Sequence, residues 1–229
     1  MKKQNTKGEL IMYQALLFDL DGTLTASGEG ITKSVRYALE KLGRKAPSLE
    51  ELEVFVGPPL LGQFMAYCGM SEEEANLGVK YYRERYNQTG LYENRPYDGI
   101  KELLGQLKEK GFQLGVASSK PEHMVREILH HFHMEDYFRV IRGSVPERLK
   151  MTKAEVVEEA LKDLGYEQRR EEAVMIGDRK YDVTGARTAH LACIGVTYGY
   201  GTEEELKEAG ADFVVHSVKE LGRLLMEER

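Results

Sequence analysis

The chain is poor in the features that settle a protein's class at a glance. It has two cysteines, Cys68 and Cys193, far apart and without CxxC spacing. That offers no disulfide framework and fits two reduced core thiols. No apolar run approaches the length needed to cross a bilayer. The basic start, residues 1–8, is not followed by a long apolar segment, so it reads as a loose tail and not a secretory signal. There is no internal repeat, no low-complexity tract and no GxxxxGK[ST] loop, which excludes a P-loop kinase. Positive charge is not in surplus: the formal net charge is -6, which argues against nucleic acid or an anionic membrane as the main partner. What remains is a cytoplasmic globular protein of 229 residues, 41% hydrophobic and 31% charged, sized for one large domain or a domain with an insertion.

The most informative stretch is Ala15-Leu16-Leu17-Phe18-Asp19-Leu20-Asp21-Gly22-Thr23. A short apolar run bounded by a glycine turn reads as a buried strand. Residues two apart in a strand point the same way, so Asp19 and Asp21 share the strand's C-terminal end. Two carboxylates that close repel, and burying them is costly without positive charge between them. A divalent cation with oxygen ligands, usually Mg²⁺, meets that need.

Residues 25–30 are small, polar and glycine-rich, as a flexible connector would be. From residue 31 to about 95 the pattern is helical. Val35, Leu39 and Leu42 form one apolar stripe, and Ser48/Glu51 and Ser71/Glu74 have capping-box spacing. Residues 55–60 carry paired prolines, which cannot sit inside a helix. A second turn-rich connector, residues 95–99, precedes a change of pattern. A helix over 100–110, a strand over 112–117, and a helix opening at residues 118–121 with Pro121 in its first turn follow. A weaker strand spans residues 137–141, and Thr152/Glu155 cap a helix that stops at Gly165. Strand 173–176, helix 181–190, strands 193–196 and 213–215, and a helix capped by Ser217/Glu220 complete the chain. Alternating strands and helices predict an α/β fold, a doubly wound parallel sheet with a Rossmann-like core. The core comprises residues 1–24 and 96–229, and residues 25–95 form an inserted α-helical domain.

Ligands of such sheets bind beyond the carboxyl ends of the strands. There the sequence places Asp19 and Asp21, then Ser118 and Ser119, then Lys153 at a helix start, then Asp178 and Asp182. Together they suit a metal and a phosphate. Each has a plainer explanation alone: serines at a strand-to-helix junction are usually N-caps, Asp178 fits a cap as well as a ligand, and surface lysines are common. Lys153, however, faces the positive end of its helix at a cost of about 0.3–1 kcal/mol. A lysine and a helix N-terminus aimed at one place make a phosphate seat.

These residues resemble the motifs of the haloacid dehalogenase-like superfamily, in the subgroup that includes phosphoglycolate phosphatase. Asp19-Leu20-Asp21-Gly22-Thr23 is similar to its DxDGT motif, Ser118 and Lys153 fall on the second and third motifs, and Gly177-Asp178 through Asp182 resembles GDxxxD. The resemblance implies that Asp19 is the nucleophile forming an aspartyl-phosphate and that Asp21 is the general acid and base. It implies Mg²⁺ held by Asp19, the backbone carbonyl of Asp21, and Asp178, with Asp182 orienting the metal waters or Lys153. Ser118, Lys153 and backbone N–H groups near Leu20, Asp21 and Ser119 would hold the phosphoryl oxygens. Residues 25–95 hold the position of the family's type-1 cap, with the connectors as hinges. Ser118-Ser119-Lys120-Pro121 stands where phosphoglycolate phosphatases often carry Thr-Asn-Lys-Pro.

Other features carry less. His130, His131 and His133 sit near a helix C-terminus without a carboxylate or cysteine at ligand spacing. The run from Tyr81 to Tyr86 fits packing better than substrate contact. Phe55, Gly57 and Pro58, at the Gly-Pro-Pro break, are the candidates for substrate specificity, and residues 198–202 are a candidate for the pocket rim. The expectation is a Mg²⁺-dependent phosphatase for a small phosphorylated metabolite, acting as monomer or homodimer, with phosphoglycolate as first choice of substrate. The alternatives are a 5′-nucleotidase and a phosphomutase resembling beta-phosphoglucomutase.

Overall fold

A computed structural model describes residues 13–145 and 151–226. The chain divides into two compact units, one of Met1–Leu24 with Pro96–Arg229 and one of Thr25–Arg95.

The first unit opens with strand β1 (Ala15–Phe18), whose four residues are all buried. After the second unit, with helices α1 (Gly28–Lys41), α2 (Leu60–Cys68) and α3 (Glu72–Arg85), it continues as α4 (Ile100–Glu109), β2 (Gln113–Pro121), α5 (Glu122–His131), β3 (Val140–Ser144) and α6 (Lys153–Leu164). It ends as β4 (Ala173–Gly177), α7 (Lys180–Thr188), β5 (Ala192–Val196), α8 (Glu203–Ala209), β6 (Phe213–Val215) and α9 (Val218–Met226). The six strands form one parallel sheet in the order β3-β2-β1-β4-β5-β6. β1 lies between β2 and β4, with Phe18 opposite Val116 and Ile176. The chain winds outward from β1 in one direction and from β4 in the other, so the order reverses between them. That switch point is where the strand ends open a crevice. Leu17, Ala117 and Met175 on one sheet face pack against Val156, Val157, Ala160 and Leu161 of α6 and Val183 and Ala186 of α7. α5 packs against β2 and β3. At roughly 25 cal/mol per Å² of buried apolar surface, such layers supply most of the drive to fold.

Several local expectations change. Residues 28–30 are the first turn of α1 and not a connector. Gly30 is buried, and a Cβ there would clash with the Gly90 carbonyl oxygen, so this glycine serves close packing rather than flexibility. The hydroxyls of Thr32 and Ser34 donate to the carbonyls of Gly28 and Gly30 at 2.8 and 2.6 Å. β2 runs on through Ser118, Ser119 and Lys120, and Pro121 caps α5 instead of standing within its first turn. β3 begins only at Val140, after a 3₁₀ turn over Glu135–Tyr137. Helix α8 lies between β5 and β6, where the sequence suggested a direct strand-to-strand passage. Its cap is Thr202, whose hydroxyl accepts the Glu205 N–H at 3.1 Å.

In the second unit the boxes at Ser48/Glu51 and Ser71/Glu74 both form. Tyr82 and Tyr86 are buried and stacked at 5.1 Å, as packing residues. A π-helical turn, Tyr86–Gly90, follows α3.

Candidate active site

Three strand or helix ends of the first unit bring their polar side chains to the switch point. Asp19 and Asp21 leave β1, Lys153 opens α6, and Asp178 and Asp182 follow β4. All are largely shielded: Asp178 is 0% exposed, Asp182 3%, Asp19 6%, Asp21 7% and Lys153 9%.

The centre is a lysine held by two carboxylates. Lys153 Nζ stands 2.7 Å from Asp19 Oδ1 and 2.7 Å from Asp182 Oδ1. Thr152 and Glu155 close the capping box that fixes the start of α6, so the stem of Lys153 leaves the helix at a set point. Burial works to lower the pKa of Lys153, but Asp182 and Asp19 outweigh it and hold the ammonium more firmly protonated than a free lysine. Burial lifts Asp19 to about 6 against the opposing pull of Lys153, with Asp182 and Asp21 adding to the rise. Asp178 is pushed well above the usual carboxylate range, first by burial and then by Asp182 and Asp19.

Asp178 is held from both sides. The hydroxyl of Thr23 donates to its Oδ1 at 3.3 Å, and the N–H of Tyr200 donates to its Oδ2 at 2.8 Å. Gly22, at φ 86°, takes a left-handed turn that L side chains rarely adopt, and a Cβ there would also clash with the Asp178 carboxylate. Residue 182 uses its second oxygen locally, where Oδ2 accepts the Arg179 N–H at 3.0 Å at the start of α7.

Asp19, Asp178 and Asp182 can each turn a carboxylate oxygen to within 4.8 Å of the others, and among the described residues they are the one such cluster. This carboxylate oxygen set suits Mg²⁺, and its excess of negative charge over Lys153 is what a dication would offset. Asp182 has one oxygen on the Lys153 ammonium and the other on the Arg179 N–H, whereas Asp178 accepts from the uncharged Thr23 hydroxyl and Tyr200 N–H.

Ser118 is buried, with its Oγ accepting the Lys120 N–H at 3.4 Å, and Ser119 is half-buried beside it. Neither caps a helix. Leu20 is buried, and its carbonyl accepts the N–H of Thr23 and of Leu24. Phe55 lies in the core of the second unit, its ring 5.0 Å from Phe64 and 5.7 Å from Tyr67, so it serves packing and not substrate contact. That leaves Gly57 and Pro58 of the three as specificity candidates. His130 is exposed, 3.5 Å from Glu135, while His131 sets its ring edge-on to Phe132, so the histidines do not converge on a metal.

Sequence reasoning missed two partners. One is Tyr200, whose amide reaches Asp178 from a loop of small and aromatic residues with no chemical signature. Its neighbour Tyr198 donates its hydroxyl to the Thr23 carbonyl at 3.2 Å. The other is Lys120, whose Nζ is 2.8 Å from Asp21 Oδ2. Its place two residues after Ser118 was the available signal.

A family model described as haloacid dehalogenase-like hydrolase matches residues 16–196. The chain is 48% identical over 197 residues to a 5′-nucleotidase of Pseudomonas aeruginosa, covering 86% of this chain and 88% of that one. It is 38% identical to the tyrosine-protein kinase PtkA of Mycobacterium tuberculosis, over 89% of this chain and 69% of that one. It is 29% identical to a phosphoglycolate phosphatase of Vibrio parahaemolyticus, over 90% and 93%. Its fold matches a solved structure of a predicted phosphatase from Clostridium acetobutylicum with a TM-score of 0.90 and 48% identity, covering 94% of this chain and 99% of that one.

Proposed function

The chain belongs to the haloacid dehalogenase-like hydrolases as a phosphoric monoester hydrolase, and from that premise we propose that it cleaves small phosphomonoesters through an aspartyl-phosphate on Asp19 with Mg²⁺ bound. The observation that carries this reading is the buried set of Asp19, Lys153, Asp182 and Asp178 at the switch point.

Asp19, Asp178 and the backbone carbonyl of Asp21 would hold the Mg²⁺. The cation offsets the repulsion between a carboxylate nucleophile and an anionic phosphoryl group. Lys153 stays charged and is shared by Asp19 and Asp182, so it orients the nucleophile and offers its remaining donor capacity to a phosphoryl oxygen. Ser118 Oγ and the amides near Leu20, Asp21 and Ser119 would take the other oxygens. Asp21 gives a proton to the leaving oxygen and later accepts one from water. The helical unit Thr25–Arg95 would act as a cap that excludes water and selects the leaving group, with Gly57 and Pro58 among its contacts.

For the substrate, the resemblance of the motifs pointed first to phosphoglycolate. The 5′-nucleotidase relative is 48% identical, whereas the phosphoglycolate phosphatase is 29% identical. The departure at Ser118-Ser119-Lys120-Pro121 adds to the same side. A nucleoside 5′-monophosphate is therefore the better supported substrate, and phosphoglycolate the second.

A phosphate-release panel with Mg²⁺ over nucleoside monophosphates, phosphoglycolate and sugar phosphates tests both parts, compared by kcat/KM. Nucleoside monophosphates should lead. Asp19→Asn should abolish turnover and acid-stable protein labelling from ³²P substrate; full activity in that variant would sink the covalent mechanism. A requirement for a sugar bisphosphate, with little release to water, would turn the reading to a mutase.

A further inference from the structure

The proposed acid is itself held by a cation. Lys120 lies on the part of β2 that runs past its pairing with β1, and its Nζ is 2.8 Å from Asp21 Oδ2. Both side chains are buried, 8% and 9% exposed. The other carboxylate oxygen, Asp21 Oδ1, is also buried and has no hydrogen-bond partner among the described residues. An unmet acceptor in a protein interior costs about 1–3 kcal/mol, and more when charged. Such an atom in a native fold needs an explanation, and a catalytic role is one.

The backbone under Lys120 is pinned on three sides. Its N–H donates to Ser118 Oγ, the following Pro121 fixes the turn into α5, and Gly143 of β3 leaves no Cβ to clash with the Lys120 carbonyl oxygen. The strand thus fixes where the side chain starts, and its burial against Asp21 limits where the ammonium can go. It occupies one Asp21 oxygen and leaves the other without a hydrogen-bond partner among the described residues.

We propose that Lys120 is a positioning residue for proton transfer by Asp21, holding Oδ2 so that Oδ1 alone carries the proton. The proposal rests on the reading of Asp21 as the general acid and base. In the first half-reaction a bond forms from the Asp19 carboxylate to phosphorus, and the bond from phosphorus to the leaving oxygen breaks with its electron pair on that oxygen. The proton on Asp21 Oδ1 passes to it, and Asp21 becomes a carboxylate facing the Lys120 ammonium, which is the pairing seen here. In the second half-reaction Oδ1 takes a proton from water as the water oxygen bonds to phosphorus and the aspartyl–phosphorus bond breaks. Asp19 and Asp21 are then as they began.

The test compares leaving groups. An alkyl phosphomonoester needs its leaving oxygen protonated, whereas 4-nitrophenyl phosphate expels a stable phenolate and needs little help. Because kcat/KM runs from free enzyme and substrate to the transition state, it reports the phosphorylation step. Lys120→Met should lose on the order of 10²-fold in kcat/KM on the best alkyl substrate. Its loss on 4-nitrophenyl phosphate should be at least about tenfold smaller, and that retained activity also shows the variant folded. Lys120→Arg, which keeps a cation, should recover most of the alkyl activity. Asp21→Asn is measured beside them. If it shows the leaving-group selectivity and Lys120→Met does not, Asp21 is the acid but Lys120 does not position it, and the proposal is overturned. If Asp21→Asn itself lacks the selectivity, the reading of Asp21 falls and the proposal with it. Equal losses on both ester classes for Lys120→Met, or a loss confined to alkyl esters that carry a carboxylate, would make Lys120 a substrate ligand and overturn the proposal.

Discussion

The N–H of Tyr200 donates to Asp178 Oδ2 at 2.8 Å, across 22 residues of sequence and from the loop after β5 to the end of β4. A buried carboxylate that can serve a metal thus has its orientation set by a backbone amide. The next residue presses closer still, since a Cβ on Gly201 would clash with the Asp178 carbonyl oxygen.

Gly201→Ala should therefore push the loop away and loosen Asp178. Groups that orient a metal ligand are commonly worth 10–100-fold in affinity or activity. The expected result is a rise of about tenfold or more in the Mg²⁺ concentration needed for half-maximal activity. A Mg²⁺ titration of the variant at saturating substrate checks it, and an unchanged midpoint would show that the loop does not act through Asp178.

Lys153→Met leaves Asp19 and Asp182 buried without their shared cation. Breaking a buried pair in this way costs on the order of 3–5 kcal/mol. The expected outcome is a clear fall in Tm together with near-complete loss of turnover. Because the remaining cluster is then more negative, added Mg²⁺ should raise the Tm of the variant more than that of the parent. Thermal denaturation with and without Mg²⁺ measures both effects.

Glu93 ties the helical unit together, at 2.8 Å from Arg85 and 3.1 Å from Lys33. The hydrogen bond from Arg85, followed by that from Lys33, holds its carboxyl below the usual range against the opposing effect of burial. A depressed folded-state pKa contributes stability above the unfolded value of about 4.3 and loses it as pH falls through the folded value. Glu93→Gln should lower the Tm at pH 7, and the gap to the parent should shrink as pH drops below about 4. A gap that is constant with pH would show that the carboxylate charge is not what matters.

Gly30→Ala tests the contact between α1 and the π-helical turn. Its Cβ would meet the Gly90 carbonyl, and overpacking of this kind costs about 1–3 kcal/mol. Chemical denaturation should show that loss of stability. A neutral result would mean that α1 shifts away from the turn freely.

The sheet was legible because its strands are short apolar runs bounded by glycine and polar punctuation, and their burial needs no partner identified in advance. Asp19, Asp21, Lys153, Asp178 and Asp182 were legible for a related reason. Each stands at the end of a strand or the start of a helix, where carboxylates and a lysine are electrostatically out of place unless they meet one another. The helix α8 was not legible, since its seven residues are mostly charged and only Leu206 and Ala209 pack toward the core. The roles of residues 28–30 and 118–120 were misjudged from local propensity. Glycines there suggested flexibility and serines suggested a cap, whereas packing against Gly90 and pairing with β3 decide both.

Residue types and their order set the chemistry on offer at the strand ends: paired carboxylates, a hydroxyl, a lysine, and a helical insertion that leaves the core just after the first pair. How those groups share their charges follows from the fold. Lys153 serves Asp19 and Asp182 together, Asp178 answers to Thr23 and Tyr200, and Lys120 takes one oxygen of Asp21 and leaves the other. The difference is one of reach. Residue type and spacing state which charges exist, but the partner of a buried charge is whichever group the fold brings within about 3 Å, and these partners lie up to 155 residues apart in the chain.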